Sequence, residues 1–175
     1  YLHVTVSNHS VFATALAMHA DVDAGVLRWA SAGHPPAFMR THDNRVFHLG
    51  PTGIVLGAVD PEEFRGTEDE LPFAPGDTII AYTDGAIECR DRSGEMLRLQ
   101  GLEAMVASAP IDRAAPHAFD LAGELAQRLL ERCPGPAEDD TLIVQISRPL
   151  PHVASKVATG GRTRTAAART KDTDA

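Results

Sequence analysis

The side chains in this sequence best placed for chemistry are carboxylates. Asp84 stands at the end of the apolar run Thr78-Ile79-Ile80-Ala81-Tyr82 and is followed by Gly85. Rigid backbone would hold the carboxylate there, while the glycine lets other groups come close. Near the far end, Glu138-Asp139-Asp140 puts three carboxylates directly before the alternating run Thr141 to Ile146. Like charges so crowded repel unless a cation or solvent compensates them. Carboxylates of this kind favour hard ions, Mg²⁺ or Mn²⁺, over zinc. Taken singly, each group also has a simpler reading, because Thr-Asp-Gly is an ordinary turn and an acidic cluster before a strand is usually solvated. His34, between Gly33 and Pro35, reads as a turn histidine satisfying backbone groups. Glu88, four residues after Asp84, fits either a surface position or one behind a ligand.

These groups must be positioned by strands. From Phe12 to Met18 large and small residues alternate, which predicts a strand buried on both faces. Asp23-Ala24-Gly25 supplies turn chemistry before a second strand, Val26 to Ala32, so the two form a hairpin. Ala37 to Arg40 and Val46 to Leu49, joined through His42-Asp43-Asn44, give another antiparallel pair. Four strands thus precede any helix, and Phe73-Ala74-Pro75-Gly76-Asp77 turns into the core strand Thr78 to Tyr82. Helical spacing appears at Leu102, Met105 and Val106, then at Leu121, Ala122, Leu125 and Leu129, with a stop at Cys133-Pro134-Gly135-Pro136. Strands, helices, then a strand indicate an α+β layered domain rather than a doubly wound parallel sheet.

With 175 residues and 43% hydrophobic content, the chain suits one packed domain plus a tail. Residues 151–175 hold five Lys/Arg against two Asp, have no aromatics, and are expected to form a disordered tail. The formal net charge of −8 therefore leaves −11 on residues 1–150, which argues against nucleic acid as a partner. Cys89 and Cys133 lack metal-type spacing and read as reduced thiols. No apolar stretch is long enough to span a bilayer and no signal peptide is recognisable, so no membrane contact and a cytoplasmic location are expected. The chain opens on Tyr1 inside an apparently structured run, which reads as a fragment of a longer product.

Six pieces in order resemble the SpoIIE-type branch of the PPM, or PP2C-like, metal-dependent protein phosphatases. They are Phe12-Ala13-Thr14, Ala32-Gly33-His34-Pro35-Pro36, Thr52-Gly53-Ile54-Val55-Leu56-Gly57, Pro75-Gly76-Asp77, Tyr82-Thr83-Asp84-Gly85-Ala86-Ile87-Glu88 and Asp139-Asp140-Thr141. No single piece is decisive, but six in register make chance a poor explanation. The resemblance implies a layered αββα sandwich of antiparallel sheets flanked by helices, with the N-terminal part of the domain missing from residues 1–150. It implies hydrolysis of phosphoserine or phosphothreonine by water activated between two Mn²⁺ or Mg²⁺ ions. It also implies a phosphoprotein substrate, by analogy a small regulatory protein such as an anti-sigma factor antagonist, in signal transduction.

By resemblance Asp84 carries over as a metal ligand, and a second ligand comes from the closing Asp-Asp-x-Thr motif. Aligned on Thr141, Glu138 falls on the motif's first aspartate and Asp139 on its second; with one residue missing before Thr141, Asp139 takes the ligand position. Asp139 is the preferred ligand, with Glu138, Asp140 and Gly85 as further metal or second-layer candidates and Gly33 and His34 as a structural motif near the site. Leu97-Arg98 departs from the family, which commonly has Phe-Gly there. The larger departure lies upstream of Phe12, where the family's bridging aspartate and carbonyl ligand have no counterpart in Tyr1 to Val11. The chain as given is therefore expected to be inactive or nearly so, with a sheet edge and apolar surface exposed. A phosphatase-like module that binds a regulatory partner without chemistry is the alternative.

Overall fold

The computed structural model describes residues 12–60, 62–110, 119–135 and 139–150. Among the described residues, seven strands and three helices follow one another as β1 (Ala15–Asp21), β2 (Val26–Ala32), β3 (Ala37–Arg40), β4 (Val46–Leu49), β5 (Asp69–Pro72), β6 (Thr78–Tyr82), α1 (Gly85–Glu88), α2 (Arg98–Ser108), α3 (Leu121–Arg132) and β7 (Ile143–Ser147). They form two antiparallel sheets, one ordered β1-β2-β5 and the other β4-β3-β6-β7. Two of the five pairings are sequence-adjacent hairpins, as in Ala17 opposite Ala30 and Met39 opposite Phe47. β6 lies between β3 and β7, so its end is flanked by chain on both sides.

The two sheets face each other through Leu27, Trp29, Ala37, Met39, Leu49, Phe73 and Ile79. On the opposite face of the four-stranded sheet, Phe38, Ile80 and Tyr82 pack beneath Leu102 and Val106 of α2 and Leu121, Leu125 and Leu129 of α3. Alternation along β3 and β6 sends neighbouring residues into different cores, which is why short runs such as Phe38-Met39 and Ile79-Ile80 are fully apolar. Phe38 and Tyr82 stack at 5.7 Å between ring centres. Asp120 caps α3 by accepting from the Gly123 amide at 2.8 Å, and Gln145 of β7 accepts from Ala122 N at 2.9 Å. The helix is thereby fixed on the sheet.

The layered α+β architecture agrees with the expectation, with helices on one outer face among the described residues. Three details differ. The first strand runs from Ala15 to Asp21 rather than from Phe12, and as a sheet edge it is half-exposed instead of buried on both faces. β5 precedes the helices as well, because Asp69-Glu70-Leu71-Pro72 is polar enough to hide its strand character and is held by β2 and by Arg28 bonded to Glu70 at 3.1 Å. The last strand starts at Ile143, two residues late. Leu142, just before β7, and Val144 and Ile146 within it are 58%, 41% and 37% exposed. Among the described residues no helix is long and apolar enough to cross a membrane. Residues 151–175, expected as a disordered tail, lie outside the described residues.

Candidate metal centre

The centre begins where β6 ends. Past Tyr82 the chain turns at once into α1, with Ala86 N donating to Thr83 O at 3.0 Å and both Ile87 N and Glu88 N donating to Asp84 O. Asp84 occupies the position before the helix, yet its side chain makes no capping bond. Its carboxylate is exposed and has no structural task in the helix. Such an uncommitted oxygen pair on a rigid turn can serve a cation.

The acidic segment before β7 lies directly against this turn. Thr83 N donates to Leu142 O at 3.1 Å, Thr83 Oγ1 donates to Asp140 O at 2.8 Å, and Leu142 N donates to Thr83 Oγ1 at 2.9 Å. These bonds carry the β6–β7 pairing past Tyr82–Ile143 and set Asp84 and Gly85 beside residues 139–141. Gly85 is buried, and a methyl group there would stand 2.8 Å from Asp140 O, 2.9 Å from Thr141 Oγ1 and 3.1 Å from Asp139 O. Only glycine lets the two motifs touch. Asp139 Oδ1 accepts from Asp140 N at 2.7 Å, which orients that carboxylate, while Asp140 gives its carbonyl to Thr83 and exposes its own side chain. Glu138 lies outside the described residues, so the choice between it and Asp139 rests on the sequence.

Two described carboxylate residues, Asp84 and Asp139, thus lie on neighbouring backbone segments. As oxygen donors they suit a hard divalent ion, but they fill only part of the six or so positions such an ion takes. Among the described residues no group of three His, Cys, Asp or Glu is close enough to hold a metal. Beside the turn opens a cleft of about 750 Å³ whose lining includes Gly85, Glu88, Arg92, Leu129 and Asp139. Glu88 therefore faces this cleft, the point its sequence position left open.

On the other side of β6, Tyr82 Oη donates to Pro36 O at 2.8 Å, and burial pushes the phenol well above its ordinary pKa. This ties the Gly33 to Pro36 segment to the strand that carries Asp84. His34 is half-buried, and its Nδ1–H donates to Pro35 O at 2.8 Å. Gly33, at φ +69°, packs so that a side chain would collide with Val55 Cβ at 2.9 Å. The remaining motifs join around it. Ser31 O accepts from Thr52 N and Gly53 N, while Ala13 and Leu56 exchange backbone bonds at 3.0 and 2.9 Å. The six pieces thus resolve into a scaffold knot (Ala13, Gly33, Thr52 to Gly57), the carboxylate turn, and one further lock. That lock is Asp77, 2% exposed, whose carboxylate accepts from His42 N at 3.0 Å and Ala74 N at 2.7 Å.

Sequence reasoning passed over Thr83, whose hydroxyl bridges both motifs, since only the fold brings Asp140 and Leu142 to it. The departure at Leu97-Arg98 acquires a cost: Arg98 enters α2 at φ +61°, a conformation suited to glycine.

The family model of Stage II sporulation protein E (SpoIIE) matches residues 2–149. Phosphoserine phosphatase RsbU of Bacillus subtilis is 34% identical over 105 residues, 57% of this chain and 31% of that protein. Protein IcfG of Synechocystis is 30% identical over 102 residues, 58% of this chain and 16% of that protein. The chain therefore spans less than a third of either relative. Among solved structures, the SiaA-PP2C domain of Pseudomonas aeruginosa superposes with a TM-score of 0.66 at 20% identity, covering 83% of this chain and 56% of that one. The Mn-presoaked phosphatase domain of Bacillus subtilis SpoIIE gives 0.58 at 17% identity, covering 79% and 57%. At these identities the structural likeness shows the fold.

Proposed function

This chain belongs to the SpoIIE family, and on that footing we propose that it forms the carboxylate-bearing part of a protein phosphatase acting on phosphoserine or phosphothreonine. The observation that carries the proposal is the lock between the two motifs, with Thr83 bonded to Asp140 and Leu142 and Gly85 packed without a side chain against residues 139–141. A turn that sacrifices a side chain to bring two carboxylate segments together, and leaves Asp84 without a capping role, suits ion binding better than a solvated loop.

In this reading Asp84 and Asp139 hold divalent ions, Mn²⁺ or Mg²⁺, with the remaining ligands coming from water and from outside the described residues. Two such ions, when bound, would supply an activated water and offset negative charge on the phosphoryl oxygens. The chain's own contribution is positional. β6 and β7 fix the carboxylates through paired backbone, Thr83 keeps the turn from opening, and the adjoining cleft gives a phosphorylated segment room to approach. The name of the relative RsbU, a phosphoserine phosphatase, supports the substrate class. A small phosphorylated regulatory protein such as an anti-sigma factor antagonist, met in the cytoplasm, is the proposed substrate.

The test is Mn²⁺-dependent phosphate release from a phosphoserine protein, comparing this chain, a form extended upstream, and the extended form carrying Asp84→Asn. Release by the extended form alone, abolished by the substitution, is the expected result. No release from an extended protein that is folded and metal-loaded would replace the enzyme with a module that binds its partner without chemistry.

A further inference from the structure

The mechanism above makes no use of the two cysteines, which stand far apart in sequence and together in space. Cys89 ends α1 and Cys133 ends α3. Both are free and half-buried, and both line the cleft beside Gly85 and Asp139, where the Cys133 sulfur lies near enough to act on the Cys89 thiol. Their backbones are anchored independently, Cys89 O accepting from Leu97 N at 2.9 Å and Cys133 N donating to Leu129 O at 2.8 Å. A third group completes the arrangement. Arg132 Nε is buried with no hydrogen-bond partner among the described residues, although its Nη2 reaches Asp91 Oδ2 at 3.6 Å. The guanidinium lies near enough to Cys89 to favour negative charge there.

We propose that Cys89 and Cys133 form an oxidisable dithiol that closes to a disulfide in the presence of hydrogen peroxide, stapling the end of α1 to the end of α3. The chemistry takes two steps. The thiolate of one of the two cysteines attacks one peroxide oxygen, the O–O bond breaks, and with the proton returned the products are a sulfenic acid and one water. The sulfur of the other cysteine then attacks the sulfenic sulfur, forming the S–S bond and releasing a second water that takes up that thiol's proton. Two sulfurs are oxidised by one electron each, and peroxide is reduced by two.

Burial, then the Cys133 sulfur beside it, push the Cys89 thiol up to about 12. The unpartnered Arg132 Nε–H can stabilise the oxyanion-like character of the sulfur and oxygen groups that develop beside it. Intracellular disulfides are mostly transient and redox-sensing, and this pair sits on the cleft wall, at the far end of the short helix that Asp84 begins.

The test treats the full chain with hydrogen peroxide at neutral pH, in the presence of dimedone as a sulfenic-acid trap in a parallel sample, followed by peptide mass spectrometry and non-reducing electrophoresis. The expected result is loss of both thiols, a peptide pair joining Cys89 to Cys133 within one chain, and restoration by dithiothreitol. Cys89→Ala should instead accumulate the dimedone adduct on Cys133. Thiols that survive peroxide, dimedone adducts on wild type without the joined peptides, or linkage only between chains would each overturn the proposal. None of these readouts depends on phosphatase activity.

Discussion

Replacing Gly85 with alanine tests the contact that brings the two acidic motifs together. The new methyl would meet Asp140 O at 2.8 Å, Thr141 Oγ1 at 2.9 Å and Asp139 O at 3.1 Å, and two of those three atoms are backbone. Neither carbonyl can move aside without opening the Thr83 bonds to Asp140 and Leu142. Overpacking of this kind costs about 1–3 kcal/mol. Alanine returns about 0.4–1 kcal/mol by restricting the unfolded chain. The clash wins, so Gly85→Ala should lose about 1–2 kcal/mol, or roughly 3–6 °C in melting temperature for a chain of this size. Gly50→Ala is the matched control, because nothing lies within 4 Å of a methyl there. Thermal melts of the three proteins, followed by circular dichroism, are the assay. A Gly85→Ala melting point equal to or above wild type would refute the argument that glycine is required for motif contact. In the upstream-extended form the same substitution should also weaken Mn²⁺ binding by calorimetry, since it separates Asp84 from Asp139.

Thr83→Val keeps the shape of the side chain but removes the acceptor for Leu142 N and the donor to Asp140 O, and should cost about 1–2 kcal/mol in denaturant unfolding. Asp77→Ala strips two amides of their acceptor at a site 2% exposed, and should cost about 2–4 kcal/mol, with Asp77→Asn milder. Arg98→Gly relieves a φ of +61° and should raise stability by about 1 kcal/mol, read as a higher denaturation midpoint. Asp91, held below its ordinary carboxylate pKa chiefly by the Ser93 hydroxyl, contributes stability that is present above the unfolded carboxylate pKa and is lost as pH falls through the folded one. The melting difference between wild type and Asp91→Asn should therefore shrink on titration into that acid range, and a constant difference would contradict it.

Local patterns in the sequence reached a good part of this molecule. The hairpins Ala15–Ala32 and Ala37–Leu49, the core strand Thr78–Tyr82 and the apolar stripe Leu121, Leu125, Leu129 are short-range features that alternation or helical spacing marks, although the first strand begins three residues after Phe12. β5 escaped because Asp69-Glu70-Leu71-Pro72 carries no apolar alternation and owes its strand to β2 alongside it. The six motifs likewise marked their own positions without revealing their purposes. That Gly33 yields to Val55, that Asp77 holds the His42 amide and that Thr83 spans to Leu142 depend on partners 22 to 59 residues distant.

The sequence by itself determined the layered α+β class and the residue types able to hold a hard cation, because strand alternation, helix periodicity and carboxylate chemistry are written in neighbouring residues. Only the tertiary structure decided which carboxylate segments lie together. The antiparallel register of β6 and β7 brings the turn at Asp84 beside the segment of Asp139, 55 residues further along the chain, and the docking of α3 brings Cys133 to the cleft that Cys89 lines. Pairing of this kind arises from sheet register and helix packing, which are set by the whole core at once.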